Sequence, residues 1–278
     1  MKTSFLLPSF AAALLLSSCL MQAPDGQANA PLVGTASLEA QSATVADPDP
    51  IELARTSRRV KSQIIEHAGH TLSWNDVWGV PNWVAWELTN DETRAPYRKR
   101  NDDFEPDPDV TGTRVTTHDY TKSGYTRGHM APSGDMRWSQ EAMDHSYYTS
   151  NICPQNQGLN AGLWEEVESR SRSWARRYGR VWICCGPIVD DIHKSLRRKV
   201  AVPSSFFKVI VAEEDNRYHA LGFVFPNDDC KGTIWQSTRS IDDIEQLTGH
   251  DFFYALPDDI EDRIESDNNT QFWRRRNR

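Results

Sequence analysis

Three side chains suited to acid–base and metal chemistry lie in the middle of the chain: His129, Asn160 and Glu168. His129 stands within residues 126–132 (Thr-Arg-Gly-His-Met-Ala-Pro), and Glu168 follows Asn160 by eight residues. A neutral imidazole accepts a proton near neutral pH, and amide and carboxylate oxygens are ligands of hard cations. These residue types at these separations can build a centre in which one metal ion and a histidine act together on a phosphodiester.

An isolated Arg-Gly-His is weak evidence, because a histidine between loop residues is usually an ordinary surface or core-edge side chain. The flanking segments add specificity: residues 148–155 read Tyr-Thr-Ser-Asn-Ile-Cys-Pro-Gln, and residues 159–168 read Leu-Asn-Ala-Gly-Leu-Trp-Glu-Glu-Val-Glu. Further matching blocks lie at residues 82–88, 181–187 and 242–253. In order and spacing, roughly residues 64–257 resemble the DNA/RNA non-specific endonucleases, the ββα-metal or His-Me finger nucleases, which include endonuclease G-like proteins.

This resemblance implies an α+β fold, the ββα-metal (His-Me finger) nuclease fold, with a central, mainly antiparallel sheet flanked by helices. It implies that His129 is the general base. Asn160 is then the single direct protein ligand of Mg²⁺, for which Mn²⁺ is a substitute. Glu168 is expected to hydrogen-bond the waters of that ion from the same helix.

The resemblance also assigns arginines to the scissile phosphate. Arg127 and Arg100 match family arginines that contact or orient around it, and Arg98 is the alternative to Arg100 because that loop varies. Arg172 follows Glu168 by four residues, the helical spacing and direction that favour an ion pair. We expect Arg172 to contact phosphate as well.

Thr126 departs from the family pattern, in which many members carry aspartate before Arg-Gly-His. Whatever a carboxylate contributes there to the orientation of the histidine must come from a hydroxyl or from another residue. Asn160 is expected in the first turn of a helix, where free backbone N–H groups favour a bound anion such as phosphate.

Apolar stretches predict the elements that position these residues. Strands are expected at residues 83–88, 181–185, 206–212 and 218–225, and residues 213–217 are expected to form the hairpin loop between the last two. Apolar residues at three- and four-residue steps predict an amphipathic helix over residues 160–178, ending near Gly179. A capping box at Ser240 predicts a second helix through Leu247, which Gly249 ends.

The amino terminus has the composition of an export signal: Lys2 precedes a short apolar run, and residues 16–19 read Leu-Ser-Ser-Cys. This pattern is typical of a bacterial lipoprotein, so residues 1–18 are interpreted as the signal peptide and Cys19 as the lipid attachment site. An ordinary signal peptide, giving a secreted protein, is the alternative. Residues 19–55 are predicted to be a flexible tether, residues 56–260 the nuclease domain, and residues 261–278 a charged tail.

Cysteine spacing and charge leave alternatives open. An exported protein can pair cysteines, and one of Cys184 and Cys185 is a candidate partner for Cys230, but Cys153 and the adjacent pair fit buried thiols equally well. The net charge of −8 argues mildly against a nucleic-acid-binding protein. Local basic groups offset it if they converge on one face; they are Arg98 to Arg100, Arg170, Arg172, Arg176, Arg177 and Arg197 to Lys199.

The function expected from the resemblance is a metal-dependent, sugar-non-specific endonuclease that cuts DNA and RNA to 5′-phosphorylated products. Its location is expected to be the bacterial cell envelope, through the lipid on Cys19. Two alternatives of other classes are a catalytically silent nucleic-acid-binding lipoprotein and a surface scaffold that binds proteins. Retention of His129, Asn160 and Glu168 favours the enzyme, whereas net acidity favours the scaffold.

Overall fold

A seven-stranded sheet lies at the centre of the structure, a computed structural model that describes residues 49–96, 99 and 103–275. The strands of this part of the chain are β1 (Ala54–Arg55), β2 (Gln63–Glu66), β3 (Thr71–Asn75), β4 (Val80–Thr89), β5 (Thr126–His129), β6 (Ile152–Gln155), β7 (Arg180–Ile188), β8 (Ser195–Leu196), β9 (Val200–Ala201), β10 (Ser205–Glu214), β11 (Arg217–Pro226), β12 (Thr238–Arg239) and β13 (Asp251–Phe252). The central sheet has the order β12-β11-β10-β7-β4-β3-β2, and β1 pairs with β13, β5 with β6, and β8 with β9. All of these pairs are antiparallel, which confirms the predicted sheet.

Helices cover both faces of this sheet. They are α1 (Asn90–Arg94), α2 (Thr117–Tyr120), α3 (Gln140–His145), α4 (Gln157–Leu159), α5 (Glu165–Tyr178), α6 (Ile241–Thr248) and α7 (Asp258–Ser266). A π-helical turn, Asn160–Trp164, joins α4 to α5. As predicted, α5 ends at Gly179, and α6 begins after the Ser240 cap and ends at Gly249, which has a φ of 69°.

Alternate residues of β10 face two separate cores. Phe206 and Ile210 pack in the core that contains Trp164 and the apolar face of α5. Phe207 and Val209 pack in the other core, with residues of α6 and α7. Because both faces of the central strands are covered, these strands are apolar along most of their length rather than alternately apolar and polar.

Three boundaries differ from the sequence predictions. The β10–β11 hairpin has a two-residue turn, Asp215 and Asn216, whose φ values are 53° and 58°; a mirror-image turn of this kind matches the strand twist. The fold begins before residue 56, because Ala54 is buried in β1. At the other end, residues 261–278 are not simply a charged tail, since α7 extends into them and Trp273 is 1% exposed.

The four described cysteines are free thiols, so neither Cys184 nor Cys185 is paired with Cys230. Cys153 and the adjacent pair are buried, as the thiol alternative predicts, and burial raises the pKa of Cys185 to about 12. Cys19 and the predicted signal peptide lie outside the described residues, as do Arg98 and Arg100. No helix within the described ranges is long and apolar enough to cross a membrane.

Candidate active site

The strand that carries His129 leaves no room for a side chain at the preceding position. In the β5–β6 pair Gly128 lies opposite Cys153, and His129 lies opposite Ile152. A Cβ atom at Gly128 would lie 2.6 Å from Cβ of Gln155, inside van der Waals contact. Any larger residue would force the two strands apart, which explains the glycine of Arg-Gly-His.

Buried Asn151 fixes the chain just beyond His129. The Met130 N–H donates to the Asn151 carbonyl at 2.9 Å, and the Ala131 N–H donates to Asn151 Oδ1 at 2.9 Å. In return, Asn151 Nδ2 donates to the carbonyls of Ala131 and Ser146, both at 2.8 Å. Because the amide uses both its oxygen and its nitrogen on backbone groups, it sets where β5 ends.

Aromatic rings and a helix position the His129 imidazole. Tyr147 contacts it edge to face with ring centroids 5.0 Å apart, and the Phe104 centroid lies 5.4 Å away. The indole N–H of Trp164 donates to the His129 carbonyl at 3.1 Å. Trp164 belongs to the π-helical turn that begins at Asn160, so this bond ties the histidine strand to the predicted metal-binding helix.

The orientation of the Asn160 amide follows from the hydroxyl of Thr126. A threonine hydroxyl has one proton, and Thr126 Oγ1 donates it to the Gln155 carbonyl at 2.8 Å. The same oxygen therefore accepts the 3.1 Å hydrogen bond from Asn160 Nδ2. With its nitrogen held by Thr126, the amide keeps Oδ1 as an oxygen donor for another ligand.

One expectation about this region was wrong, and one alternative was left open. The sequence left open whether a hydroxyl or another residue orients the histidine; in the structure the Thr126 hydroxyl contacts the Asn160 amide. The first helical turn begins at α4, after the Asn156 cap, and the Asn160 N–H already donates to the Asn156 carbonyl at 2.9 Å. Asn160 therefore offers an amide oxygen to the site and not a free helix N-terminus.

Thr126→Val is expected to weaken the response to Mg²⁺, because it removes the hydroxyl that accepts a hydrogen bond from the Asn160 amide and donates one to the Gln155 carbonyl. Loss of a group that orients a metal ligand typically lowers affinity or activity about ten- to a hundredfold. The measurement is the initial cleavage rate across a magnesium titration. Thr126→Ser, which keeps the hydroxyl, is the matched control and should retain the wild-type curve; equal curves for the valine and serine variants would contradict this role.

The π-helical turn brings Glu168 onto the same side of the helix as Asn160. In a regular α-helix, residues eight apart differ by about 80° around the axis. The turn between them changes that angle, because it is not regular helix. The backbone leaves helical values at Gly162, inside this turn, and both Asn160 and Glu168 line the same cleft.

A buried lysine lies beneath Glu168. Burial raises the pKa of Glu168 to about 7, the Lys208 ammonium opposes that rise, and Asp135 adds to it. Lys208 is only 1% exposed, and its Nζ lies 4.1 Å from the ring centroid of Trp164 and 5.5 Å from that of Trp86. The lysine therefore favours the ionised form of Glu168, the form that can assist a cation.

Lys208→Met is expected to move the acid limb of the activity–pH profile to higher pH. The folded pKa of Glu168 already lies above its usual value, so the carboxylate is lost as pH falls through about 7. Removing the ammonium raises that pKa further, and we expect the rate at neutral pH to fall about ten- to a hundredfold.

The pH profiles of Lys208→Met, Glu168→Gln and the double variant separate this role from simple packing. If Lys208 acts through Glu168, the shift disappears in the Glu168→Gln background and the two rate losses are not additive. An acid limb that stays in place in Lys208→Met, or additive losses in free energy, would leave Lys208 with a structural role only.

Arg172 does not pair with Glu168 as predicted. Its Nη1 donates to Oδ1 of buried Asp135 at 2.8 Å, and the indole N–H of Trp86 donates to the other carboxylate oxygen at 3.2 Å. Asp135 thus holds Arg172 beside the cleft while Glu168 keeps its carboxylate for another partner. Burial raises the pKa of Asp135, and the Arg172 guanidinium opposes that rise.

The predicted site residues that the structure describes converge on one open cleft with a cavity volume of about 410 Å³. Its walls are formed by Phe104, Arg127, His129, Pro132, Ser133, Gly134, Asn160, Ala161, Glu165, Glu168 and Arg172. The guanidinium of Arg127 lies 5.3 Å from the Phe104 ring centroid. The sequence analysis did not identify Asn151, Asp135 or Lys208 as parts of the site. Of the three, Lys208 could have been found, because it is a lone lysine at a core-facing position of an apolar strand.

The donors in this cleft fit a hard cation. Asn160 presents an oriented amide oxygen, and Glu168 lines the same cleft with a carboxylate. Oxygen ligands of this kind, with room left for water and phosphate oxygens, suit Mg²⁺ or Mn²⁺. Asn160 would hold the ion directly and Glu168 would hydrogen-bond its waters.

Comparison with known proteins gives matches along most of the chain. The family model for DNA/RNA non-specific endonucleases matches residues 51–259. The mitochondrial nuclease EXOG of Danio rerio is 36% identical over 208 residues, covering 68% of this chain and 60% of the relative. Mitochondrial endonuclease G of Bos taurus is 33% identical, with 71% of this chain and 70% of the relative covered.

A solved structure agrees with these sequence matches. A chain from the crystal structure of the EndoG/EndoGI complex superposes with a TM-score of 0.66 and 31% identity, over 72% of this chain and 89% of that one. The resemblance stated from the motifs and the α+β nuclease fold are both confirmed. The chain belongs to the DNA/RNA non-specific endonuclease family.

Proposed function

We propose that the protein is a metal-dependent, sugar-non-specific endonuclease that hydrolyses DNA and RNA to 5′-phosphorylated products. The observation that carries this proposal is the convergence of His129, Asn160, Glu168, Arg127 and Arg172 on one cleft. A base, an oxygen ligand for a cation and two guanidinium groups are what phosphodiester hydrolysis requires.

In this proposal, His129 takes the proton of the attacking water. Arg127 and Arg172 supply positive charge to the non-bridging phosphate oxygens, and the Asp135 pair fixes where the Arg172 guanidinium lies. Asn160 would hold Mg²⁺, and the ion would supply neutralising charge in the transition state and an acid for the departing 3′ oxygen. Glu168 supports that end of the site as an ionised carboxylate.

Positive charge beside the cleft supports binding through the nucleic-acid backbone. Burial lowers the pKa of the exposed Arg176, and three further guanidinium groups near it lower it too: those of Arg172, Arg94 and Arg137. Such a cluster favours phosphate groups irrespective of sequence and sugar. It offsets locally the net charge of −8, and the binding it provides should weaken steeply with salt.

The test is incubation of the purified protein with supercoiled plasmid and with single-stranded RNA, each with Mg²⁺ and with excess chelator. Endonuclease activity predicts open-circular and then linear plasmid and shortened RNA, both only with the cation. Product ends should accept label from polynucleotide kinase only after phosphatase treatment, as 5′-phosphates require. Binding without cleavage, or full cleavage in chelator, would overturn the proposal.

The proposed location is the bacterial cell envelope, with a lipid on Cys19 as the anchor and a secreted protein as the alternative. Support comes from the amino-terminal sequence. Cys19→Ser is expected to move the protein from the membrane fraction to the soluble fraction with unchanged nuclease activity, because the tether separates lipid from domain. Fractionation and metabolic labelling with a fatty-acid probe measure this; equal labelling of both proteins, or a mature chain that begins at residue 31, would contradict it.

A further inference from the structure

Three carboxylates meet at the junction of α6 and α7, away from the catalytic cleft. Oxygen atoms of Asp242, Glu245 and Glu265 all lie within 4.8 Å of one another. The two helices carrying them pack on the face of the sheet whose core contains Ile244 and Ile264. Glu265 also lies beyond residues 51–259 matched by the family model, so the cluster is not the family's catalytic centre.

Glu265 is a buried acid with an unsatisfied oxygen. Glu265 is only 7% exposed, and its Oε1 atom has no hydrogen-bond partner among the described residues. A buried carboxylate without a partner is costly unless a cation or a proton compensates its charge. This oxygen belongs to Glu265, the third member of the cluster. Its missing partner indicates a bound ligand, which a group of acidic residues would not indicate by itself.

The electrostatic surroundings reinforce this need for compensation. Burial raises the pKa of Glu265 to about 8, and the charges that add most to the rise are all carboxylates: those of Glu245, Glu261, Asp242 and Asp251. Glu245 likewise has a pKa of about 7, chiefly through burial, although one of its oxygens accepts a hydrogen bond from Phe252 N at 2.8 Å.

The ion pair at neighbouring Asp251 does not supply the missing charge. Arg55, on β1, lies 3.6 Å from the carboxylate of Asp251, and its side chain is 62% exposed. Its guanidinium also contacts the Tyr254 ring, 3.9 Å from the centroid. Arg55 is therefore engaged at the rim of the acidic region, on Asp251 and Tyr254.

We propose that Asp242, Glu245 and Glu265 bind a structural divalent cation of the calcium class. Carboxylate oxygens are hard ligands, and Ca²⁺ accepts irregular sets of them completed by water or backbone carbonyls. The ion would join α6 to α7 and so hold the carboxyl-terminal segment that leads to Trp273. This role is independent of the nuclease reaction, because none of the three residues lines the catalytic cleft.

The test is thermal unfolding at about pH 8 in chelator and in Ca²⁺, using Asn160→Ala so that binding at the catalytic site makes no contribution. A hundredfold excess of Ca²⁺ over its Kd should raise the Tm by about 5 to 10 °C for a domain of this size. Glu265→Gln in the same background should remove the shift. Its Tm in chelator should be higher than that of the parent, because a buried charge has been removed.

Glu261→Gln is the matched control, since it removes a neighbouring carboxylate outside the triad and should keep the calcium shift. Calorimetric titration with Ca²⁺ should give one site per chain, and none after Glu265→Gln. If that variant does not fold, Asp242→Asn takes its place with the same expectation. If Ca²⁺ does not raise the Tm of the parent, the cation site is overturned in favour of a proton shared among the carboxyl groups. If Ca²⁺ raises the Tm equally after Glu265→Gln, the cation binds elsewhere and the proposed site is wrong.

Discussion

His129→Ala is expected to lower the cleavage rate about a hundred- to ten-thousand-fold, the usual contribution of a general base. Folding should be nearly unaffected, because β5 is held by its pairing with β6 and by Asn151 rather than by the imidazole. Substrate binding should also persist, since the guanidinium groups of Arg127 and Arg172 remain. Single-turnover rates on plasmid, a filter-binding assay and a thermal melt measure the three properties.

Two other histidines provide the controls for this substitution. His118 lies on α2, and His145 lies at the end of α3, where its ring centroid is 4.9 Å from that of His67. Neither lines the catalytic cleft, so alanine at either position should leave turnover near wild type. A fast His129→Ala protein together with a slow His118→Ala or His145→Ala protein would mean that the base has been assigned to the wrong residue.

Asn160→Ala is expected to abolish the magnesium response. The amide oxygen is the one direct ligand that we assign to the protein, so its removal leaves the ion without a fixed position in the cleft. Wild-type activity should vanish in chelator and return with Mg²⁺ or Mn²⁺ in the millimolar range, as a weakly held hard cation requires. Glu168→Ala should weaken the same response by about ten- to a hundredfold.

Initial rates across a magnesium titration for the wild type, Asn160→Ala and Glu168→Ala test the order of these effects. We expect saturation in the wild type, a curve displaced to higher concentration in Glu168→Ala, and little activity at any concentration in Asn160→Ala. The assignment would be overturned by an Asn160→Ala protein with the wild-type curve, or by Glu168→Ala being the more severe change.

The central strands were predictable because their burial is complete. β4, β7, β10 and β11 have both faces covered, so each appears in the sequence as an apolar run whatever its orientation. Their ends were less clear, since Glu213 and Glu214 continue β10 beyond the apolar part. The site motifs were equally visible because His129, Asn160 and Glu168 lie within two short segments.

The contacts that complete the site come from distant parts of the sequence. Asp135 forms an ion pair with Arg172, and the Lys208 ammonium acts electrostatically on Glu168 from β10, which pairs with β7. The local periodicity of the sequence contains no information about either interaction. The irregular turn at Gly162 was also not predicted, because it changes the direction of Asn160 relative to Glu168 without interrupting the apolar pattern of the helix. It was thus easier to predict which side chains form the site than how those side chains are oriented.

The carboxyl-terminal anchor shows that a family boundary need not be a folding boundary. Trp273 lies beyond residues 51–259 matched by the family model, yet its ring packs 4.9 Å from that of Trp174 on α5 and donates to the Ala220 carbonyl of β11. α5 also carries Glu168 and Arg172. A protein trimmed at residue 259 would lose the Trp273 contacts with α5, and the loss of one buried tryptophan side chain alone costs about 3 to 5 kcal/mol. The helix that carries the proposed catalytic residues would then be less firmly held. In this protein the domain that the family model matches therefore depends on a carboxyl-terminal segment that lies outside the match.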